Sequence, residues 1–157
     1  MTFSSVVIRK KTIPPPKTQR KVIHSLVREV SVKAWIEDPF GRVLMVRHVK
    51  GDKFWTLPGG RVKKSEALMS ALKREVREET GFDVSLATPV DIFDREKKNT
   101  LIILYRVILK VGKPKAFRRL EVARVQFWDK IPVNTAESAK FFWKRADMSF
   151  EPLFMIK

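Results

Sequence analysis

Three glutamates near the end of one apolar-periodic segment, Glu75, Glu78 and Glu79, are the residues of this chain best placed to do chemistry. At about 100° per residue, Ala67, Leu68, Ala71, Leu72 and Val76 form one stripe of a helix expected from Ser65 to Thr80. The three acids fall within or beside the continuation of that stripe, while Lys73 and Arg77 take the opposite, solvated face. Ser65 is the expected N-cap, Glu66 suits the positive end of the helix dipole, and Gly81 suits a left-handed C-terminal cap. Inward-facing anions at the negative end of a helix break two local rules together, which marks a site. A hard divalent cation resolves both conflicts, because Mg²⁺ or Mn²⁺ takes carboxylate oxygens, keeps several waters and bridges to phosphates.

The bland interpretation of such a segment is a solvated, Glu-rich helix end. The flanking residues weigh against it. Gly60 is followed after five residues by Glu66, and after seven more by Arg74, Glu75, Val76, Arg77, Glu78, Glu79, Thr80, Gly81 and Phe82. This pattern resembles, with no departure, the box of the Nudix hydrolase family. The resemblance implies a loop–helix–loop in which Glu75, Glu78 and Glu79 hold the metal and the backbone carbonyl of Gly59 adds a further ligand. It gives Arg74 the task of orienting the catalytic carboxylates and Glu66 that of stabilising the loop. The implied reaction is attack by water on a phosphorus of a nucleoside diphosphate linked to another moiety. The general base is either a box glutamate or an acid from a downstream loop. Glu121, which follows the basic loop Lys113 to Arg119 and precedes the alternating stretch Val122 to Trp128, is the downstream candidate. An ordinary charge at a strand entry is an equal alternative for it, and Asp94 and Glu96 are weaker candidates of the same kind.

Outside the box, the elements read as a mixed sheet. Val30, Val32, Ala34 and Ile36 alternate with Ser31, Lys33 and Trp35, and Arg42 to His48 follows across the turn Asp38-Pro39-Phe40-Gly41, predicting a hairpin. A short strand is expected over Phe54 to Leu57. Two longer ones are expected over Val84 to Phe93 and Thr100 to Val111, joined by the polar turn Asp94 to Asn99, with the second as the central strand. A last helix is expected from about Thr135 to Arg145. Asn134 and Glu137 are spaced like a capping box there, and Ala136, Ala139, Phe142, Trp143 and Ala146 form the apolar stripe. Together these give an α/β fold, a mixed β-sheet sandwiched between helices, as the Nudix resemblance also implies.

Length and composition suit one catalytic domain: 157 residues with 44% hydrophobic content bury a sizeable core. The domain is expected over residues 26–157, preceded by a basic, proline-containing extension over 1–25 that holds six basic residues and no acidic one. The absence of cysteine excludes disulfides, thiolate metal sites and a cysteine nucleophile. No apolar run is long enough to span a bilayer and no signal-peptide core is present, so a cytoplasmic location without membrane contact is expected. No Walker loop, Ser-His-Asp signature or zinc-type histidine pair competes with the box.

The net charge of +16 invites a nucleic-acid partner. It is spread over the extension and the segment from Asp83 to Leu120, where Lys113, Lys115, Arg118 and Arg119 surround one loop. No RNA-recognition signature accompanies it, so RNA rests on charge alone. Arg118 and Arg119 are candidate contacts to substrate phosphates, as are Arg47 and His48 at the end of a strand near the box loop. Trp35 is a candidate nucleobase contact, with packing against the last helix as the stronger alternative. Phe54 and Trp55 either border the pocket or anchor it. The expected substrate is a nucleotide-type small molecule, namely an ADP-ribose-like compound, a nucleoside triphosphate or a dinucleoside polyphosphate. An RNA 5′-end activity and a non-catalytic ligand-sensing or RNA-binding module are the alternatives, and the resemblance leaves a homodimer open.

Overall fold

The computed structural model describes residues 27–50, 53–111 and 121–149. The extension 1–25 and the loop bearing Lys113, Lys115, Arg118 and Arg119 lie outside the described residues. The described elements are β1 (Glu29–Trp35), β2 (Val43–His48), β3 (Trp55–Thr56), α1 (Leu68–Thr80), β4 (Val84–Arg95), β5 (Thr100–Leu109), β6 (Val122–Trp128) and α2 (Glu137–Ser149), with a 3₁₀ turn at Glu96–Lys98.

The strands form two three-stranded sheets, in the orders β1-β5-β4 and β3-β2-β6. The first is mixed, with β1 parallel and β4 antiparallel to the central β5, and the second is antiparallel. The hairpin expected between β1 and β2 is therefore corrected. The turn is present: Asp38 Oδ1 accepts the N–H groups of Phe40 and Arg42, and Gly41 adopts φ 75°. Pairing reaches only from Glu37–Val43 to the bond from Leu44 N–H to the Ile36 carbonyl, after which the strands part into different sheets. The turn chemistry is local, whereas the buried partners that win β1 and β2 are distant in sequence.

Strand alternation sends side chains to two apolar clusters. Val32, Ala34, Ile36 and Leu44 pack under α1 with Ala71, Leu72 and Val76. Trp35, Val43, Met45, Leu57 and Leu104 pack under α2 with Ala139, Phe142 and Trp143. Helices thus cover both faces, giving the α/β layering. Helix α1 starts later than Ser65. Ser65 has φ 60°, Ala67 occupies the N-cap position without a side-chain bond, and Ala67 and Leu68 are exposed. The tight turn from Glu66 N–H to the Lys63 carbonyl takes the place of the expected first turn. At the other end Gly81 adopts φ 77° and its N–H bonds the Arg77 carbonyl, the left-handed cap that the sequence indicates. Asn134 takes φ 60°, with Thr135 paired instead to the Pro132 carbonyl, and helix α2 begins at Glu137. Among the described residues, no helix is long and apolar enough to cross a membrane.

Candidate active site

The loop before α1 is laid against β1 by backbone bonds on either side of Gly59: Ala34 N–H donates to the Pro58 carbonyl and Val32 N–H to the Gly60 carbonyl. Gly59 has φ 129°, and a Cβ there would lie 2.1 Å from the Val32 carbonyl oxygen. Only glycine meets both conditions. Its N–H donates to Glu79 Oε2 at 2.7 Å, so strand, loop and helix end are tied at one peptide.

Glu79 is 6% exposed. Burial pushes its carboxyl up from the ordinary 4.5 to about 7, against the opposing pull of Lys33 and the Gly59 N–H. Its other oxygen lies 3.3 Å from His48 Nε2. Burial, and then the Lys33 charge, push His48 below its ordinary 6.5, so it is largely neutral at pH 7. Its ring hydrogen-bonds the backbone of Glu121. A register shift in the β2–β6 ladder falls between Arg47 and His48, a bulge that re-aims the end of the strand.

Arg74 organises the rest. Its Nε and one terminal nitrogen grip the two Glu66 oxygens at 2.8 and 2.9 Å, and the other terminal nitrogen donates to Glu75 at 2.5 Å and lies 3.6 Å from Glu78. Glu66 also accepts the Lys63 N–H. The Arg74 guanidinium, foremost among these partners, holds the Glu66 carboxyl down at about 2. Glu66 therefore ties the loop to the helix, as the resemblance implies. Gly60 leaves room for Glu75, because a Cβ on it would approach that carboxyl group to 2.7 Å.

The residues fit a hard divalent ion by donor chemistry. Glu75, Glu78, Glu79 and the Gly59 carbonyl are all hard oxygens, and the buried Glu79 gains from a nearby cation. In the conformation described the carboxylates are spread over protein partners, and no three acidic or histidine side chains among the described residues converge into a ready cage.

A cleft of about 1170 Å³ opens beside this cluster, lined by Lys33, His48, Gly60 and Phe54. Lys50, Lys53, Lys98 and Lys140 also line it. Trp35 does not. It is 3% exposed and meets Trp143 edge to face at 5.5 Å, so the nucleobase role is corrected in favour of packing against α2. Arg47 stacks over Trp55 at 5.6 Å and is likewise absent from the lining. Trp55 is an anchor in the core while Phe54 borders the cleft. Glu121 is brought close enough for its charge to act on both His48 and Glu79. Asp94 is exposed and pairs with Arg28 instead. The residue that sequence reasoning passed over is Lys33. Its signal was a lysine on the same strand face as Ser31 and the buried Trp35.

A family model described as NUDIX domain matches residues 27–148. The chain belongs to the NUDIX hydrolase family. Over 70 residues it is 40% identical to the 8-oxo-dGDP phosphatase of Danio rerio, covering 43% of this chain and 20% of that protein. Over 46 residues it is 46% identical to the RNA pyrophosphohydrolase of Teredinibacter turnerae, covering 29% and 27%. The matched stretches span 20% to 37% of the lengths of the curated relatives. Among solved structures, a MutT NUDIX hydrolase of Burkholderia pseudomallei superposes with TM-score 0.66 at 21% identity, over 75% of this chain and 97% of that one. The MutT protein of Methanosarcina mazei gives TM-score 0.60 at 26% identity, over 76% and 93%. These likenesses agree with the NUDIX fold expected from the box.

Proposed function

We propose that this chain is a Mg²⁺-dependent pyrophosphohydrolase that cleaves a phosphoanhydride in a nucleoside diphosphate linked to another moiety. The substrate would be an ADP-ribose-like compound, a nucleoside triphosphate or a dinucleoside polyphosphate. The observation that carries this reading is Glu79: a buried carboxylate pinned to the Gly59 peptide, beside two further box acids and in contact with His48, which lines a cationic cleft together with Lys33 and Gly60. Glu75, Glu78, Glu79 and the Gly59 carbonyl would hold the ion, with Mn²⁺ as a substitute. When bound, it supplies charge neutralisation at the phosphates and a lowered pKa for the attacking water.

The chain's own residues do the remainder. Arg74, locked by Glu66, sets the rotamer of Glu75. The cleft lysines bind the phosphate chain, and Phe54 offers an exposed ring to a base. In the reaction, water oxygen bonds to phosphorus, the bridging P–O bond breaks, and the water proton passes to a carboxylate. Glu121 is the proposed acceptor, because it sits against His48 without belonging to the metal set. Glu121→Gln should then cut turnover while leaving metal binding intact. The reading as a whole is tested by phosphate and mononucleotide release from a nucleotide panel, with and without Mg²⁺; no metal-dependent release from any member refutes it.

One observation favours a second reading, an RNA 5′-end pyrophosphohydrolase. Lys50, Lys53, Lys98 and Lys140 line the cleft with no ion-pair partner among the described residues. The small-molecule reading is preferred because the chain shows charge without any motif that reads bases.

A further inference from the structure

Lys33 sits on β1 between Val32 and Ala34, which face α1 from the core, and its own side chain is half-buried on the other face. Burying an ammonium is costly unless fixed partners replace water. Here Nζ donates to the Leu57 carbonyl at 2.8 Å and to the Gly59 carbonyl at 2.5 Å; burial pulls the ammonium below its ordinary range, and the charges of Glu79 and Glu75 oppose that pull. The Gly59 carbonyl is the backbone oxygen that the metal reading assigns to the ion. Its direction is fixed, because strand bonds hold the peptides on both sides of it.

We propose that Lys33 is a built-in cation of the box, one that holds the Gly59 carbonyl and screens Glu79 and Glu75 in the metal-free protein and must withdraw for a divalent ion to bind. This rests on the metal-dependent reading above. Two cations sharing one carbonyl oxygen repel, so binding of the ion is a competition with Lys33 rather than the filling of an open cage. The competition also accounts for the lack of a ready three-carboxylate cage among the described residues. With Lys33 in place the carboxylates need not converge, because its ammonium already faces Glu79 and Glu75. Lys33 thereby sets metal affinity at a weaker value than the oxygen ligands alone would give. It is a positioning residue, distinct from the groups that would touch the reacting atoms.

A purely structural role for Lys33, as an anchor of the Gly59 loop, has the opposite consequence. Removing an anchor loosens a ligand and weakens metal binding, whereas removing a competitor strengthens it. Calorimetric titration of Mg²⁺ and Mn²⁺ into the whole chain without substrate therefore separates the two. Lys33→Met should tighten binding by at least roughly tenfold, since it removes a positive charge beside a dication. Lys33→Gln, which keeps one donor to the loop, should shift in the same direction and serves if the Met variant fails to fold. In the unmodified protein, the ¹³Cε resonance of Lys33, assigned by its loss in a folded variant, should move on saturation with Mg²⁺. Equal or weaker affinity in the folded variant, or a resonance unmoved by saturating metal, overturns the inference while leaving the metal site standing. Absence of binding in both the unmodified chain and the variants would instead refute the metal site itself, and the inference with it.

Discussion

Replacing Glu79 by Gln keeps the volume of the side chain and the acceptor for the Gly59 N–H while removing a charge that the fold buries. The carboxyl rises from 4.5 to about 7 on folding, with burial as the leading cause. A shift of that size corresponds to about 3 kcal/mol of differential stability in the metal-free protein. The sign follows from proton uptake. A raised pKa means that the native state holds the proton more tightly than the unfolded chain. The associated stability is fully present below the unfolded value of 4.5 and is lost as pH rises through about 7. His48, pushed down from 6.5, contributes a slope of opposite sign, so the absolute curve of the protein is a mixture. The difference between the parent and Glu79→Gln reports the carboxylate together with its coupling to His48, 3.3 Å away, and to Lys33, and burial of Glu79 dominates it.

The assay is urea unfolding in EDTA at steps from pH 4.5 to 8. The parent should lose about 3 kcal/mol relative to Glu79→Gln across that range. At pH 8 the variant should gain stability, while Mg²⁺-dependent turnover falls roughly a hundredfold or more because a charged ligand is gone. Parallel stability curves for the two proteins would refute the burial argument. Unchanged turnover would refute the assignment of Glu79 to the metal set.

The two loop glycines should separate in a comparison of Gly60→Ala with Gly59→Ala. At Gly60 the three atoms nearest the new Cβ all belong to the flexible Glu75 carboxyl, so turnover should fall about tenfold or more with less than about 1 kcal/mol lost in unfolding. At Gly59 it meets the Val32 carbonyl at positive φ, so about 3 kcal/mol of stability should be lost. Trp35→Ala should cost about 3–5 kcal/mol in urea unfolding through the lost contact with Trp143, and KM measured under folding conditions should hardly change; a raised KM without destabilisation would restore its substrate role. Lowering pH from 4.5 towards 2 should release the Glu66–Arg74 clamp, because a depressed carboxyl contributes stability above its unfolded value and loses it as pH falls; Glu66→Gln should flatten that part of the acid unfolding curve. If RNA is a substrate, deletion of residues 1–25 should weaken RNA binding and its steep salt dependence while sparing hydrolysis of free nucleotides; submicromolar RNA binding at physiological salt that the deletion abolishes would favour the second reading.

The parts of the site legible in the sequence are those whose geometry is local. The 3.6-residue period places Ala71, Leu72, Val76 and Glu79 on one buried face, and Gly81 stops the helix where a left-handed residue is needed. Strand positions follow from alternation and from turn residues such as Asp38 and Gly41. Partner choice does not. β1 pairs with β5, whose residues come some seventy positions later, so the Asp38–Gly41 turn could be read and the hairpin it implied could not be checked locally. The same limit applies to Trp35. Its strand face was legible, and what covers that face is Trp143 of α2, brought there by the whole intervening chain. The N-cap at Ser65 was misplaced for a different reason. Glu66 spends its carboxylate on Lys63 and Arg74, and that clamp holds the chain in a turn until Ala67.

The distribution of rigid and adjustable groups in the cluster explains how an acid-rich helix end persists in a folded protein. Backbone bonds to β1 and a φ that only glycine tolerates fix the Gly59 peptide, and that peptide fixes Glu79. Glu75, Glu78 and Lys33 reach the cluster at the ends of long side chains, and their partners are other side chains or a carbonyl with a second lone pair. The charges that must rearrange around an incoming cation are therefore the ones that swing by rotamer changes, on a frame that need not move. A loop free to follow its ligands would spread its ordering cost over the binding step. This one has met that cost in folding, leaving electrostatic competition as the quantity that sets when the site fills.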